Sequence, residues 1–463
     1  MSESARLEPH IESKIVEIVG GANIATGDSI ASDDMGDECL SAKPTRPLAV
    51  VRPASTDEVS ALLRLAEAER IPVTPRGAGT GLSGGCVPRD DGLVVCFSRM
   101  NRILEVDTDN FVAIVEPGVQ LDELDEKLAP MGLTYPVCPG ENSASLGGNV
   151  STNAGGMRAV KYGVTRHNVL GIEAVLASGE VIQCGGKLLK TSSGYDLTQL
   201  IIGSEGTLAL VTKATLKLQP RPQFASTVLA PFESLDEVTR AVPRIVGSGI
   251  GPALLEYIDK STMAIMIASG GLELGIPEEI RDSALAYLVV QLESSDEARL
   301  EEDTMRLGEQ LVEIGALDVY VLPSNAADDL IAAREKAFWL AKSAGANDIL
   351  DVVVPRASMP AFMERVEKIA EDSGTRIPGC GHAGDGNVHM AVFQPDPEIR
   401  SRVLREIFKA GIELGGAISG EHGLGTTKRK YFLDLECPEK IALMRGIKLA
   451  FDPTGILNPD TVF

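Results

Sequence analysis

Pro75-Arg76-Gly77-Ala78-Gly79-Thr80-Gly81-Leu82-Ser83-Gly84-Gly85 is the stretch on which the fold turns. An apolar run at residues 71–74 leads into it, and it holds a literal G-x-G-x-x-G at Gly79, Gly81 and Gly84. In a doubly wound dinucleotide fold that motif opens a helix, whose N-terminus receives the pyrophosphate. Here Cys86-Val87-Pro88-Arg89-Asp90-Asp91-Gly92 follows, with a proline and an Asp-Gly turn, and then a strand at residues 93–97. The doubly wound reading fails on its own requirement. What survives is a glycine-lined loop whose bare N–H groups form a nest for a diphosphate, with Arg76, Thr80 and Ser83 as candidate side-chain contacts.

Upstream, an amphipathic helix carries Ile11, Ile15, Ile18 and Val19, and an acidic loop surrounds Asp33-Asp34. A strand at residues 48–51 precedes a helix capped by Ser55 or Thr56, with Val59, Leu62, Leu63 and Ala66 as its buried stripe. Downstream, residues 103–107 and 111–115 read as a hairpin, and Leu121, Leu124 and Leu128 as a short helix. A second glycine cluster is Pro139-Gly140-Glu141-Asn142-Ser143-Ala144-Ser145-Leu146-Gly147-Gly148-Asn149, continuing to Asn153, Gly156 and Tyr162. A third is Gly203-Ser204-Glu205-Gly206-Thr207-Leu208, and strands at 171–177 and 180–184 pair across Ser178-Gly179. Three clusters of Gly, Ser, Thr and Asn between short strands point to a large, flat ligand held by many contacts rather than to a lone phosphate.

Gln219-Pro220-Arg221-Pro222 marks a domain boundary. Beyond it, helices at 235–246, 277–286 and 296–313 alternate with strands at 288–292, 319–322 and 351–355. Asn325 caps a helix carrying Arg334 and the only tryptophan, Trp339. Then comes Gly379-Cys380-Gly381-His382-Ala383-Gly384-Asp385-Gly386-Asn387-Val388-His389, and about thirty residues later Ser419-Gly420-Glu421-His422-Gly423-Leu424-Gly425. Three of the five histidines fall in this window. His382, His389 and Glu421 offer two neutral imidazoles and a carboxylate, a nitrogen/oxygen set suited to a divalent metal, with His422 beside them. Polar residues in a Gly-rich surface loop are the bland alternative. Gly384, Gly386, Gly423 and Gly425 permit the positive φ of a loop wrapped around a ligand. Residues 387–393 alternate, so His389 leaves the Asp385-Gly386 turn on the face opposite Val388, Met390 and Val392. Glu421 and His422 are adjacent and would diverge in a strand, so service to one site requires a loop there.

A length of 463 residues implies two or three domains. No apolar run approaches the roughly 18 residues of a membrane span, and Met1-Ser2-Glu3-Ser4-Ala5 lacks the basic-then-apolar start of a signal peptide. Seven scattered cysteines without a Cys-x-x-Cys indicate neither a disulfide framework nor an iron–sulfur cluster, which predicts a reducing, cytoplasmic setting. A net charge of −23 argues against nucleic acid or anionic lipid as a partner.

These motifs, in this order, resemble the FAD-linked oxidoreductases of the vanillyl-alcohol-oxidase type. The similar branch holds D-lactate dehydrogenase, D-2-hydroxyglutarate dehydrogenase and the flavin subunit of glycolate oxidase. The resemblance runs from about residue 40 to the end and rests on Pro75-Arg76-Gly77-x-Gly79-Thr80, Gly203-Ser204-Glu205-Gly206-Thr207, Gly381-His382-x-Gly384-Asp385-Gly386-Asn387-x-His389 and Gly420-Glu421-His422-Gly423. It implies an α+β fold in three parts. Residues 1–222 form an FAD-binding domain of two α+β subdomains. Residues 223–415 form a substrate (cap) domain with an antiparallel sheet flanked by helices. Residues 416–463 form a C-terminal segment that carries Glu421 and His422 and returns to the FAD domain.

By the same resemblance, residues 77–83 hold the diphosphate of FAD. Pro139, Gly140, Ser145, Gly147, Gly148, Asn153, Gly156 and Tyr162 line its middle. Glu205, Gly206 and Val211 lie near the adenine and ribose, and Asn458 comes back towards the flavin. Related branches attach the flavin through a histidine near the first glycine loop; none stands between Gly77 and Gly85, so non-covalent FAD is expected. The family's metal ligands map onto His382, His389 and Glu421 (Zn²⁺ favoured, Mn²⁺ or Fe²⁺ also suited), and its catalytic base onto His422. A D-2-hydroxy acid would chelate the metal, pass its hydroxyl proton to His422 and its C2 hydride to the flavin, with Arg334 gripping its carboxylate. Asp385 and Asn387 are expected to orient the imidazoles.

Where the 2-hydroxyglutarate enzymes carry a hydroxyl and a lysine for a second carboxylate, this chain aligns Phe338 and Ile349, which favours a monocarboxylate: D-lactate, glycolate or a more apolar acid. The alternatives are a D-2-hydroxyglutarate dehydrogenase, the flavin subunit of a multi-subunit glycolate oxidase and, from another class, a metal-dependent hydrolase. The hydrolase leaves the three glycine clusters without a use. The electron acceptor is not named by the sequence, and a homodimer is among the arrangements allowed.

Overall fold

The computed structural model describes residues 6–270 and 272–463; residues 1–5, read above for a leader, lie outside the described residues. The first sheet is mixed and has the strand order Ile24–Thr26, Ala49–Val51, Leu93–Cys96, Val73–Arg76. Helix Pro9–Val19 and helix Thr56–Glu69 cover it, burying Ile11, Ile15 and Val19 from one and Val59, Leu62, Leu63 and Ala66 from the other. Ser55 caps the second helix, its hydroxyl accepting from Glu58 N. The second sheet is antiparallel, in the order Ile103–Asp107, Val112–Val115, Leu210–Lys217, Val169–Val175, Val181–Gly185. Helix Leu121–Leu128 packs its three leucines into that core. The glycine loop 77–85 leaves the first sheet and enters no helix, as the proline and the Asp-Gly turn require.

The third sheet is antiparallel throughout, with seven strands ordered Tyr320–Leu322, Phe224–Phe232, Ala286–Ser294, Leu254–Asp259, Gly379–His382, Asn387–Val392, Asp348–Val353. Helices Leu235–Gly247, Glu297–Ile314, Met359–Ser373 and Pro397–Glu413 bury one of its faces, with Phe232, Phe362 and Phe408 fully enclosed. The other face carries the polar residues singled out above. Cross-strand register sets Asp351 opposite His389, His389 opposite Cys380, and His382 opposite Asn387.

Several elements depart from the sequence expectation. Strands Phe224–Phe232 and Leu254–Asp259 are central in the sheet and buried on both faces, so they lack the two-residue alternation that marks a half-exposed strand. Residues 379–382 add a strand ahead of the Asp385-Gly386 turn and pair with the expected strand after it to form a hairpin. Its first strand is glycine-rich because backbone and ring come close there: a Cβ on Gly381 would lie 2.3 Å from Asn387 O and 2.8 Å from Tyr257 Cε1. Helix Ser324–Glu335 starts one residue before Asn325, and Trp339 belongs to a separate short helix, Ala337–Ser343. Helix Glu278–Ser283 is shorter than expected because Ala286 already belongs to the next strand.

The chain then crosses back. After helices Gly425–Leu435 and Pro438–Phe451, Ile456 and Leu457 enter the core of the first sheet, where Val73 N donates to Ile456 O (2.8 Å) and Asn458 N to Val73 O (2.8 Å). Gly381→Ala is expected to lower stability by about 1–3 kcal/mol through overpacking against Asn387 and Tyr257. A urea titration checks this, the midpoint falling at unchanged cofactor content.

Candidate active site

One large cleft runs between the first two sheets and the polar face of the third. Its wall includes Pro75 and all residues from Gly77 to Ser83, then Pro139, Gly140, Ser145, Gly147 and Gly148, then Glu205, Gly206, Val211 and Asn458. At its far side stand His382, His389, Glu421, His422, Arg334, Phe338 and Ile349. The glycine clusters are knit together: Ser145 Oγ accepts from Ala78 N (3.2 Å) and from Gly148 N (3.3 Å). Asn149 Nδ2 and Asn458 Oδ1 belong to this wall and are buried without a hydrogen-bond partner. A polar ligand in the cleft would satisfy both, and a long glycine-lined wall beside apolar Leu82, Leu210 and Val211 fits FAD.

Four expected cofactor residues lie off that wall. Arg76 is turned beneath the glycine loop, where Nη1 donates to Gly36 O (2.9 Å) and Nε stands 3.6 Å from Asp34 Oδ1. Asn153 takes a left-handed conformation to end helix Leu146–Thr152, its side chain accepting from Arg166 N. Gly156 sits behind the wall, where a Cβ would meet Cys138 O at 1.7 Å. Tyr162 donates its hydroxyl proton to Glu293 Oε2 (2.8 Å), away from the cleft. Glu205 is on the wall, but its carboxylate accepts from Leu424 N (2.7 Å) and Gly425 N (2.8 Å). It therefore caps helix Gly425–Leu435, each of its oxygens accepting one N–H.

His382, His389 and Glu421 converge. His382 Nε2 and His389 Nε2 each lie 3.2 Å from Glu421 Oε1, and all three ligand atoms fall within 4.8 Å of one another. The His389 contact lacks hydrogen-bond geometry, leaving Nε2 buried and unpartnered. Ligands about 2.1 Å from one cation at a tetrahedral angle stand about 3.4 Å apart, so the donor set fits a divalent metal. His382 Nδ1 meets Glu256 Oε1 at 2.6 Å, which turns its other nitrogen towards the convergence point. Gly386, Gly423 and Gly425 have positive φ as expected; Gly384 does not, and packs on Val160 instead.

His422 sits beside the triad, its Nε2 4.0 Å from Glu421 Oε1. The loop bearing both residues is held by one buried carboxylate. Asp351 Oδ2 accepts from the backbone N–H of Gly420 (2.9 Å), Glu421 (2.8 Å) and His422 (2.8 Å), while Oδ1 pairs with Lys428 and lies 3.5 Å from His422 Nδ1. From the other side Ser83 Oγ donates to His422 O (3.1 Å) and Gly423 O (3.0 Å). Gly425, at φ 50°, brings its backbone so near Ser83 that a Cβ would lie 1.9 Å from Ser83 O. The first glycine loop and the Glu421–His422 loop are thereby joined through the Ser83 hydroxyl and a close backbone approach at Gly425.

The electrostatics follow from this packing. Burial opposes charge on His382, but Glu256 and Glu421 outweigh it and push its pKa up to about 10. The same carboxylate field would hold a metal cation in the proton's place. Burial lowers His389, and lowers His422 to about 4 against the pull of Asp351, so His422 is a neutral imidazole. Burial tends to raise Glu421, yet His382 beside it holds the carboxyl well below the usual range. Asp351 likewise overcomes burial through His422, Lys428 and its N–H donors, and falls to about 2.

Glu256, Asp351 and Lys428 were not anticipated. The sequence carried a signal for two of them: each is a carboxylate flanked on both sides by apolar residues, Leu254-Leu255-Glu256-Tyr257-Ile258 and Ile349-Leu350-Asp351-Val352-Val353. Asn387, expected to orient an imidazole, instead donates to Asp351 O (3.0 Å) and Val352 O (3.3 Å). Asp385 makes no hydrogen bond to either imidazole, and burial raises its pKa to about 6.

Known proteins show the same organisation. A model described as an FAD binding domain matches residues 47–185, and one for the C-terminal domain of FAD linked oxidases matches residues 221–462. An uncharacterised FAD-linked oxidoreductase of Mycobacterium tuberculosis is 57% identical over 447 residues, 96% of this chain and 97% of the relative. A D-lactate dehydrogenase of Anaerostipes hadrus is 36% identical, covering 99% and 98% of the two chains. The glycolate oxidase subunit GlcD of Bacillus subtilis is 39% identical, covering 90% and 89%. Substrate-bound p-cresol methylhydroxylase shares the fold, with a TM-score of 0.81 at 17% identity over 98% of this chain and 96% of that one.

The fold and the FAD-binding half thus define an FAD-dependent oxidoreductase. The chain belongs to the FAD-linked oxidase family, in the branch that includes D-lactate dehydrogenases and GlcD-type subunits. Among the described residues no helix is long and apolar enough to cross a membrane.

Asp351→Asn is expected to cost about 3–5 kcal/mol, because Lys428 is left buried without its counter-charge. Chemical denaturation checks this; an unchanged midpoint would mean the pair holds nothing in place.

Proposed function

We propose that this chain oxidises a D-2-hydroxy acid to the 2-oxo acid, with FAD bound non-covalently and a divalent cation held by His382, His389 and Glu421. The observation that carries this reading is the convergence of three lone-pair atoms, one of them buried and unpartnered, beside a neutral imidazole on the wall of the FAD cleft. Bound FAD supplies the acceptor for the C2 hydride, and a cation at the triad supplies the Lewis acid that makes the substrate hydroxyl acidic.

The chain's own residues do the rest. His422 Nε2 accepts the hydroxyl proton, while Asp351 fixes the loop and faces Nδ1, so the ring stays oriented. Arg334, buried at 8% exposure and the one Lys or Arg on the cleft wall among the described residues, meets the substrate carboxylate. The domain limits at about residues 222 and 415 are part of the same reading, with residues 416–463 bringing His422 to the FAD side.

The cleft beyond the triad favours a monocarboxylate with an apolar side chain. Ala391 lies about 7 Å along the strand from His389, on the same face, and pairs across the sheet with Ile349. Phe338 and Phe393 complete that end of the wall. A second carboxylate there would meet no free cation and would share the wall with Glu38, Glu141 and Glu335. Zn²⁺ suits the donor set best, and Mn²⁺ or Fe²⁺ also fit. The naming of the GlcD relatives as subunits supports reoxidation by a separate acceptor protein.

Anaerobic mixing with D- and L-2-hydroxy acids tests this. D-lactate and longer apolar D-acids are expected to bleach the flavin, D-2-hydroxyglutarate at least tenfold less efficiently. Bleaching by L-isomers alone would overturn the assignment, and a preference for D-2-hydroxyglutarate would overturn the substrate class. His422→Ala should keep FAD and slow bleaching by about 10²–10⁴-fold, the range a general base contributes. Undiminished reduction in that variant would remove His422 as the base.

A further inference from the structure

Glu256 is the strongest unexplained feature of the cleft. It is 1% exposed and stands alone among apolar neighbours on a central strand, where an unpaired carboxylate would cost several kcal/mol. Its two oxygens go to different functional residues. Oε1 meets His382 Nδ1 at 2.6 Å, and Oε2 lies 2.8 Å from Arg334 Nη2. His382 belongs to the converging triad, and Arg334 stands on the cleft wall where a substrate carboxylate would come. One rigid carboxylate, on a strand hydrogen-bonded on both sides, therefore sets the spacing between two groups that must grip the same small molecule.

We infer that Glu256 is a positioning residue that couples cation binding at His382 to carboxylate binding at Arg334. This rests on the proposed metal-assisted reading of the site. Chemistry makes the two tasks inseparable. By accepting from Nδ1–H, Glu256 selects the imidazole tautomer whose Nε2 lone pair points at the triad, and it makes that lone pair more basic. As the ion-pair partner of Arg334, at 2.8 Å but without hydrogen-bond geometry, it holds the guanidinium against the strand; Arg334 Nε and Nη2 are both buried without a hydrogen-bond partner and remain for a ligand. A glutamine has the same size but only one acceptor oxygen. If that oxygen faces His382, the amide NH₂ opposes the guanidinium, donor against donor. If the amide turns over, it donates to Nδ1, and the imidazole must carry its proton on Nε2, where the cation should sit. Glu256→Gln can satisfy either partner and never both.

The test is a Mn²⁺ titration of chelator-stripped, FAD-loaded protein, followed by electron paramagnetic resonance, together with half-saturation of anaerobic flavin reduction by D-lactate. In Glu256→Gln the Mn²⁺ dissociation constant is expected to rise ten- to hundredfold, or the D-lactate half-saturation to rise by a similar factor, at unchanged FAD content. Wild-type affinity and wild-type half-saturation together would overturn the inference. A wild-type chain that binds no Mn²⁺, Zn²⁺ or Fe²⁺ would instead remove the metal-assisted reading itself. If Glu256→Gln fails to retain FAD, Glu256→Asp decides by the same two measurements: its carboxylate is one methylene short and reaches a single partner, so wild-type values for both would again overturn the inference.

Discussion

The buried carboxylate of Asp351 is the constraint on which the site depends. Glu421 and His422 are neighbours on a loop without regular structure, and nothing in their own backbone pattern would aim them at one point. Three consecutive N–H groups converge on one oxygen of Asp351, and Lys428 neutralises the other. A fully buried carboxylate with this many donors cannot be displaced by water, so the loop has a single geometry. Because Asp351 sits on the strand paired with the one bearing His389, the loop is referenced to the same sheet as the two histidines.

The same logic extends across the cleft. Glu205, from the far side, accepts from Leu424 and Gly425, and Ser83 of the first glycine loop donates to the carbonyls of His422 and Gly423. Elements more than 200 residues apart in sequence are thus joined, in each case by one buried side chain gripping the backbone of the other.

Charge is handled in the opposite way from the surface. The chain carries a net charge of −23, yet the carboxylates around the triad are each given a specific partner: Glu256 has His382 and Arg334, and Glu421 has His382 and His389. The residual negative field at the convergence point is what raises His382. A hydrolase reading of these ligands does not account for the FAD-binding half, whose loops make up most of the remaining cleft wall.

The sequence by itself determined the family, the glycine-rich cleft and the four residues His382, His389, Glu421 and His422. These depend on residue types that only a few chemistries need, placed in a fixed order along the chain. It also ruled out a helix after Gly84, since Pro88 and the Asp91-Gly92 turn are local effects. Only the tertiary structure decided what the remaining polar residues do. Arg76, Tyr162 and Asn153 sit within cofactor-loop motifs, yet Arg76 pairs with Asp34 and Gly36, Tyr162 with Glu293, and Asn153 with Arg166. Glu256 and Asp351 were visible as charges between apolar neighbours, but their partners lie 78–126 and 69–77 residues away. Strand periodicity tells which face a side chain takes, while the partner it finds there is set by sheet register and by where a distant loop returns, and neither is written in local pattern.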